Sequence, residues 1–438
     1  MISSYITTDD QEHLSVKYEN LYSINGAITY LTTDPTTNPP HVTKFMNMYG
    51  WRPEIRVFDT EEQIQEYLST FENKQEVELS VIGDNLWYGN MGHALWDGFY
   101  PLYLSLLKFG YKNENFVYLT SDWHNKQIMA YDVITKFSGN NLVEYHQLDK
   151  SKLIHFKTLV AGTGAAGTSI VNQDYEMYGK KYDAIRLYKE RMYNSYGLQF
   201  NKSINDKLKI VIVNNKRYSE QERQILDKII EFYKNQYNIK FIDWGNDYNQ
   251  VFGNQLKELE DVDIHISGPG TGIVYMPFLK KGAVNINLGY MEYPQINTIR
   301  PNIKVEGYNN DNWCFPGYLE EPMHAAVDYV STLYYDRYEH NDIEFEPLKN
   351  IIEQAIHIIN NKELTTNNHF IDAKVFIEYC KRSGKGKELS DYLTGIAFFI
   401  DLFVNEHPQT TPSHLVNVEL LRQIKDELGY DRRYEYKI

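Results

Sequence analysis

Two spacings of apolar residues alternate along this chain. Short runs rich in β-branched and aromatic residues occupy 17–32 and 54–83 and read as strands, as do FVYLT at 116–120 and LIHFKTLVAG at 153–162. Between them, MGHALWDGFYPLYLSLLKFG (91–110) sets Leu95, Phe99, Leu102, Leu106 and Leu107 at helical spacing. Gly110 is its stop, and Pro101 is placed to kink the helix or divide it in two. Residues 182–198 form an amphipathic helix, and the polar stretch QFNKSINDK (199–207) then breaks the pattern.

Beyond that break the rhythm is regular. Strand LKIVIVNN (208–215), helix 219–237, strand IKFIDW (239–244), helix 248–260, strand VDIHIS (262–267), a glycine-rich turn with its helix, and strand GAVNINL (282–288) follow in order. Strands alternating with helices imply a parallel sheet covered on both faces, so both halves read as α/β. From about 345 the chain is helical. The expected domains are 1–205, an N-terminal α/β domain; 206–340, a Rossmann-like domain; and 341–438, a helical region. That region is either a small appendage or a set of helices packed back across the first domain.

The chain has 438 residues, 42% hydrophobic and 24% charged, the balance of an ordinary globular protein with room for two domains. Its formal net charge of −15 argues against a chain-wide grip on nucleic acid, and an anionic ligand would need local positive charge. Cys314 and Cys380 imply neither a disulfide framework nor a zinc site. The first residues lack the basic and apolar regions of a signal peptide, and no apolar run nears the roughly 18–20 residues of a membrane span. A cytoplasmic chain without a transmembrane segment is expected. The 37 tyrosines supply rings for stacking on sugars or bases.

Two glycine clusters are candidates for holding a phosphate. Gly162, Gly164 and Gly167 have the G-x-G-x-x-G spacing of dinucleotide folds, with Asp183 at about the distance of a ribose-binding acid. No helical period follows those glycines, however, and YGKKYD (178–183) is too polar for a second buried strand. A crossing loop is the structural reading, and an NAD(P)-dependent oxidoreductase the functional one. The second cluster, SGPGTG (267–272), follows an apolar strand. Gly268 and Gly270 turn the chain, and Thr271 and Gly272 open a helix that Gly282 stops and Pro277 kinks. Amides at that helix start would stabilise an anion by roughly 0.3–2 kcal/mol. Its structural alternative is a plain strand–helix turn. No G-K-[ST] follows, which excludes a nucleotide-hydrolysing P-loop. Asp261-Val262-Asp263 spells a D-x-D that could hold a metal, but it precedes its strand and reads as a solvated corner.

His93 and Asp97, four apart, share one helix face, as either a structural hydrogen bond or a general base whose carboxylate fixes the imidazole tautomer. Lys216, Arg217 and Arg223 surround the end of strand 208–215, where Ser219 and Glu222 make a capping box. Basic groups at the carboxyl edge of a parallel sheet lie where such sheets bind ligands; the alternative is a solvated helix start.

These features in this order resemble the DUF563 / family 61 glycosyltransferases over roughly residues 75–290. The shared motifs are a strand with Trp87 leading into Asn90-x-Gly92-His93-x-x-x-Asp97-Gly98, the basic NNKR (214–217), GPGTG (268–272) and GAVNINL. The resemblance implies a GT-B-like fold of two facing Rossmann-like domains and inversion at the anomeric carbon, with a nucleotide-sugar donor and no metal or other cofactor. It places His93 and Asp97 as catalytic residues and Trp87 and Asn90 on the acceptor side. It places Lys216, Arg217, Arg223, Gly268, Gly270, Thr271, Gly272 and Asn287 around the donor. Two departures stand out: the family's H-G-A-G motif lacks its histidine here, and Asn287 stands where a glutamate is common. The expected activity is transfer from a UDP-sugar to a hydroxyl of a glycan or glycoprotein acceptor. A carbohydrate- or nucleotide-binding pseudoenzyme is the alternative.

Overall fold

A computed structural model of the chain describes residues 1–8, 15–40, 42–44, 49–83, 91–120, 128–139, 141–144, 147–162, 174–177, 180–200, 207–216, 218–245, 251–268, 272–288, 327, 329–335, 342–362, 375–376, 378–379, 382–385 and 416–430. It divides into two compact units, Met1–Gly197 and Leu198–Ile438.

The first unit carries strands β1 (Ser4–Thr7), β2 (Ser15–Ile24), β3 (Ala27–Thr32), β4 (Val42–Lys44), β5 (Tyr49–Trp51), β6 (Glu54–Val57), β7 (Lys74–Gly83), β8 (Val117–Thr120), β9 (Leu142–Glu144) and β10 (Leu153–Gly162). An antiparallel pair follows, β11 (Asp174–Met177) and β12 (Lys180–Asp183). Its main sheet runs β6-β3-β2-β10-β7-β8-β9, with β1 on β2. The part β10-β7-β8-β9 is parallel. β2 and β3 form a hairpin whose two-residue turn is Asn25-Gly26, at φ 53° and 85°. Positive φ at both positions is what a tight hairpin requires, and Asn-Gly supplies it at least cost.

Three expectations are corrected here. The stretch 54–83 is not all strand, because α1 (Glu61–Ser69) interrupts it, capped by Thr60 accepting from the Gln63 amide. The run 182–198 contains a helix as expected, α5 (Ala184–Ser195), but Asp183 before it ends strand β12 despite the polar sequence. The helix expected over 91–110 is present and runs unbroken to Lys108; Pro101 does not divide it, and the winding changes before the proline. α2 (Met91–His93) passes into a π-helical segment (Ala94–Phe99), and α3 (Tyr100–Lys108) begins with Pro101 in its first turn. Phe99 is itself helical (φ −74°, ψ −38°), so Pro101 lies within one continuous helix, directly after its π-helical turn. The carbonyl of Leu95 accepts the Tyr188 hydroxyl at 3.0 Å, and the rings of Trp96, Tyr100 and Tyr188 meet tilted or edge to face. Helix α4 (Ile128–Phe137) follows β8.

Glycines at two strand ends let α3 approach the sheet. A Cβ on Gly83 would meet Leu102 Cδ1 at 2.4 Å, and one on Gly162 would meet Ser105 Oγ at 1.9 Å. Buried Arg191 on α5 ties this unit's loops together: its guanidinium donates to the carbonyls of Lys112, Glu114 and Phe137, each at 2.9 Å, with the Phe137 ring 4.6 Å away.

The second unit has an all-parallel sheet ordered β14-β13-β15-β16-β17. Its elements are β13 (Lys209–Val213), α6 (Glu220–Tyr233), β14 (Asn238–Ile242), α7 (Phe252–Leu259), β15 (Ile264–Ser267), a 3-10 helix (Ile273–Phe278), β16 (Val284–Asn287), β17 (Ser331–Tyr334) and α8 (Phe345–Asn361). One face of the sheet, Ile210, Ile212, Ile264, Ile266, Val284 and Ile286, packs on α6 and α8. Helix α8 thus belongs to this unit's own core. A further helix, α9 (Val418–Glu427), forms a separate small core with Val375 and Tyr379. The sheet's other face is lined by Asp263, His265, Ser267, Asn285, Asn287 and Thr332, all buried. The 3-10 helix covers this face, with Thr332 Oγ1 3.4 Å from Met276 Sδ. Among the described residues, no helix is long and apolar enough to cross a membrane.

Candidate functional site

In the second unit the chain runs from β13 outward to β14, then returns to place β15 on the opposite side of β13. The connections that follow β13 and β15, to β14 and to β16, therefore leave in opposite directions, and a crevice opens at the carboxyl ends of β13 and β15. Open α/β sheets bind ligands at such a reversal. Polar side chains gather there because the strands stop at Asn214 and Gly268. Tyr218 N donates to Asn215 O at 3.1 Å, which tightens the turn into α6, and the Ser219–Glu222 capping box starts that helix. Arg223, one turn into α6, donates to Asn214 Oδ1 and to Asn215 O (3.0 Å). It thus holds the loop after β13, while Lys216 is exposed at the loop's tip.

The β15 side closes on this loop. A Cβ on Gly268 would lie 3.0 Å from both Asn215 Nδ2 and the Tyr218 hydroxyl, and one on Gly272 would lie 3.3 Å from Ser267 Cβ. Glycine at 268 is therefore what lets the two loops meet. The helix expected from Thr271 to the Gly282 stop is corrected: it is a six-residue 3-10 helix, Ile273–Phe278, with Pro277 inside it and no side-chain cap at Gly272. So short a helix carries little dipole, and an anion at the crevice depends on the basic side chains instead. Gly282 does turn the chain afterwards, at φ 85°.

Asn287 ends β16 beside Ser267, its register partner, and both side chains are buried at the crevice floor. Below them His265 Nδ1 lies 2.9 Å from Asn285 Oδ1, and burial pushes the imidazole down to about 4, so it is neutral. Among the described residues, His265 Nε2, Asn285 Nδ2 and Ser267 Oγ have no hydrogen-bond partner. Sequence reading passed over this polar strip. Asp263, His265 and Ser267 alternate with apolar residues in VDIHIS, and that spacing does not disclose that the 3-10 helix packs over their side chains.

The D-x-D lies at the opposite, amino edge of the sheet and is not a solvated corner. Lys209 Nζ pairs with Asp261 at 2.6 Å, Lys209 N donates to Asp263 Oδ2 at 2.8 Å, and Lys280 pairs with Asp263 at 2.6 Å. These carboxylates are occupied in joining the starts of β13 and β15. Among the described residues, no group of three or more His, Cys, Asp or Glu side chains could hold a metal ion.

The first unit contains a similar reversal, since β8 and β9 lie on one side of β7 and β10 on the other. The carboxyl end of β7 leads into the segment that α2 continues. His93 is the last residue of α2, and Asp97 lies in the π-helical segment. π-Helical turns are rare and occur frequently at functional sites. Gly162, by contrast, is accounted for by Ser105, and Asp183 caps α5 through the Arg186 amide while ending an antiparallel strand. The placement of Asp183 does not match the dinucleotide fingerprint, whose acid ends a parallel strand. Trp87, Asn90, Gly164, Gly167, Arg217, Gly270 and Thr271 lie outside the described residues.

At the amino ends of β7 and β10, His155 stacks on Tyr22 (4.7 Å between centroids), lies 3.0 Å from Asn20 Oδ1 and 3.6 Å from Glu76. Burial lowers its pKa despite Glu76. This is the edge away from the ligand-binding end of a parallel sheet, and the cluster joins β2, β7 and β10. Compared with protein-family models and with curated proteins, the chain has no match.

Proposed function

We propose that this chain is an inverting glycosyltransferase that uses a nucleotide-diphosphate sugar, with a uridine donor the first to test. The observation carrying the proposal is the strand-order reversal at β13 and β15, with a basic, asparagine-rich loop on one side and a glycine turn on the other. Lys216 and Arg217 hold the donor diphosphate, and Arg223 fixes the loop that presents them. Asn287, Gly268 and the glycine turn lie beneath it. In the first unit, His93 and Asp97 act as the base. As the acceptor oxygen attacks the anomeric carbon, its proton passes to this pair, and the bond to the diphosphate breaks on the opposite face. The negative charge left on the diphosphate is stabilised by the basic loop. The resemblance to family 61 glycosyltransferases and the π-helical turn around Asp97 support this reading.

A carbohydrate- or nucleotide-binding protein without transfer chemistry is the second reading, favoured by Ser267 and Asn287 standing where the family has a histidine-led glycine motif and a glutamate. Incubation with a panel of nucleotide sugars separates the two. A transferase releases free nucleoside diphosphate, and His93→Ala or Asp97→Asn lowers that turnover by about 10²–10⁴ with donor affinity kept. Binding without release would establish the second reading. Near-normal transfer by both variants would remove the pair as the base.

A further inference from the structure

A carboxylate stands at the same crevice, where a diphosphate would repel it. Asp243 is the first residue after β14, the strand that flanks β13. Val213 and Ile242 are in register and Asn214 N donates to Ile242 O at 2.7 Å, so Asp243 lies beside Asn214 at the carboxyl edge. Asn214 Nδ2 reaches its Oδ2 at 2.8 Å and Gly245 N its Oδ1 at 2.9 Å, and both help to orient the carboxylate. Arg223 holds Asn214 from its other side. The acid is only partly exposed and is aligned through a chain of hydrogen bonds with the basic loop.

Resting on the donor-site reading above, we infer that Asp243 binds the ribose hydroxyls of the nucleotide. A carboxylate only accepts hydrogen bonds, so the part of the ligand beside it must be neutral and donating. Vicinal ribose hydroxyls fit that description, whereas phosphates and most base edges do not. The distances agree. Two strand steps separate the end of β14 from the end of β15, about 10 Å. A ribose-diphosphate unit spans a gap of that order, with its phosphates toward the glycine turn and its sugar over β14. In dinucleotide folds an acid beyond the glycine turn meets the ribose in a similar way. Here the phosphate loop and the acid would come from different strands around the same reversal.

Isothermal titration of the full chain with UDP, GDP and ADP, each compared with its 2′-deoxy form, tests the assignment. The ribose form should bind about ten- to hundredfold more tightly, the worth of one charge-assisted hydrogen bond. Asp243→Asn should bring the two forms within about threefold of each other, mainly by weakening the ribose form. A preference that survives in Asp243→Asn would overturn the ribose contact, because loop support by Asp243 cannot by itself read a 2′-hydroxyl. Should the variant fail to fold, the wild-type ratio decides alone: equal affinity for the two forms refutes the assignment. Binding of none of the three diphosphates would refute the donor site and the ribose contact together, a result distinct from binding without preference.

Discussion

His265 shows how far a single buried side chain constrains this protein. The imidazole is fully enclosed and neutral, held down to about 4 by burial, against about 6.5 in an unfolded chain. A histidine whose folded pKa is depressed contributes its full stability above the unfolded value and loses it as pH falls toward the folded one. Between pH 6.5 and 4 the native state should therefore lose up to a few kcal/mol from this residue alone, at about 1.4 kcal/mol per pH unit. Urea midpoints at pH 7, 6, 5 and 4.5 measure this, and His265→Gln should flatten the fall; an equal slope in both proteins would mean that His265 is charged when folded. Arg191 presents the opposite case, a buried cation whose two terminal nitrogens donate to three carbonyls. Arg191→Met should cost roughly 2–4 kcal/mol in urea unfolding, because the carbonyls it served become orphans. Neither residue was singled out from the sequence. Arg191 reads there as the polar face of an amphipathic helix, and His265 as one polar position in an apolar strand. Burial of polar side chains is decided by what packs over them, which local spacing does not carry.

At the scale of elements, most of the second unit was legible: each strand from β13 to β16, and the capping box of α6, follows from apolar runs and turn residues. The misses share a physical cause. α1 buries Ile64 and little else, so its helical period is faint, and only Thr60 followed by Gln63 marks its start. The segment after Thr271 has apolar residues all round because both its sides are buried, which resembles a regular helix yet folds as 3-10. Packing at the strand ends gives two tests of the first unit. Gly162→Ala forces a methyl into Ser105 and should cost roughly 1–3 kcal/mol, with part of the loss recovered by adding Ser105→Gly. Additive losses in that double variant would place the clash elsewhere. Tyr188→Phe removes the hydroxyl donated to Leu95 O and should cost about 1 kcal/mol in the same assay. Under the transferase reading it should also lower turnover more than donor affinity, since the π-helical turn carries Asp97.

Over the whole molecule, what the sequence could not disclose is strand order. A β-α-β-α-β rhythm is compatible with several arrangements, and only the placement of β15 across β13 from β14 makes a crevice at Asn214 and Gly268. The same order puts Asp261 and Asp263 at the wrong edge for a ligand and Asp243 at the right one. Because Met1–Gly197 and Leu198–Ile438 each have their own sheet and core, a donor held at the second reversal has a defined signature. A ligand at a hundredfold its dissociation constant stabilises the state that binds it by about 2.7 kcal/mol, which slows exchange through opening of that state about a hundredfold. Hydrogen-exchange mass spectrometry with saturating UDP should therefore show the slowing in peptides from β13, β14 and β15. Peptides from β7, β8 and β10 should change less. Protection concentrated in the first unit instead would move the nucleotide to the reversal between β7 and β10, and with it the roles assigned to Lys216, Arg217 and Asp243.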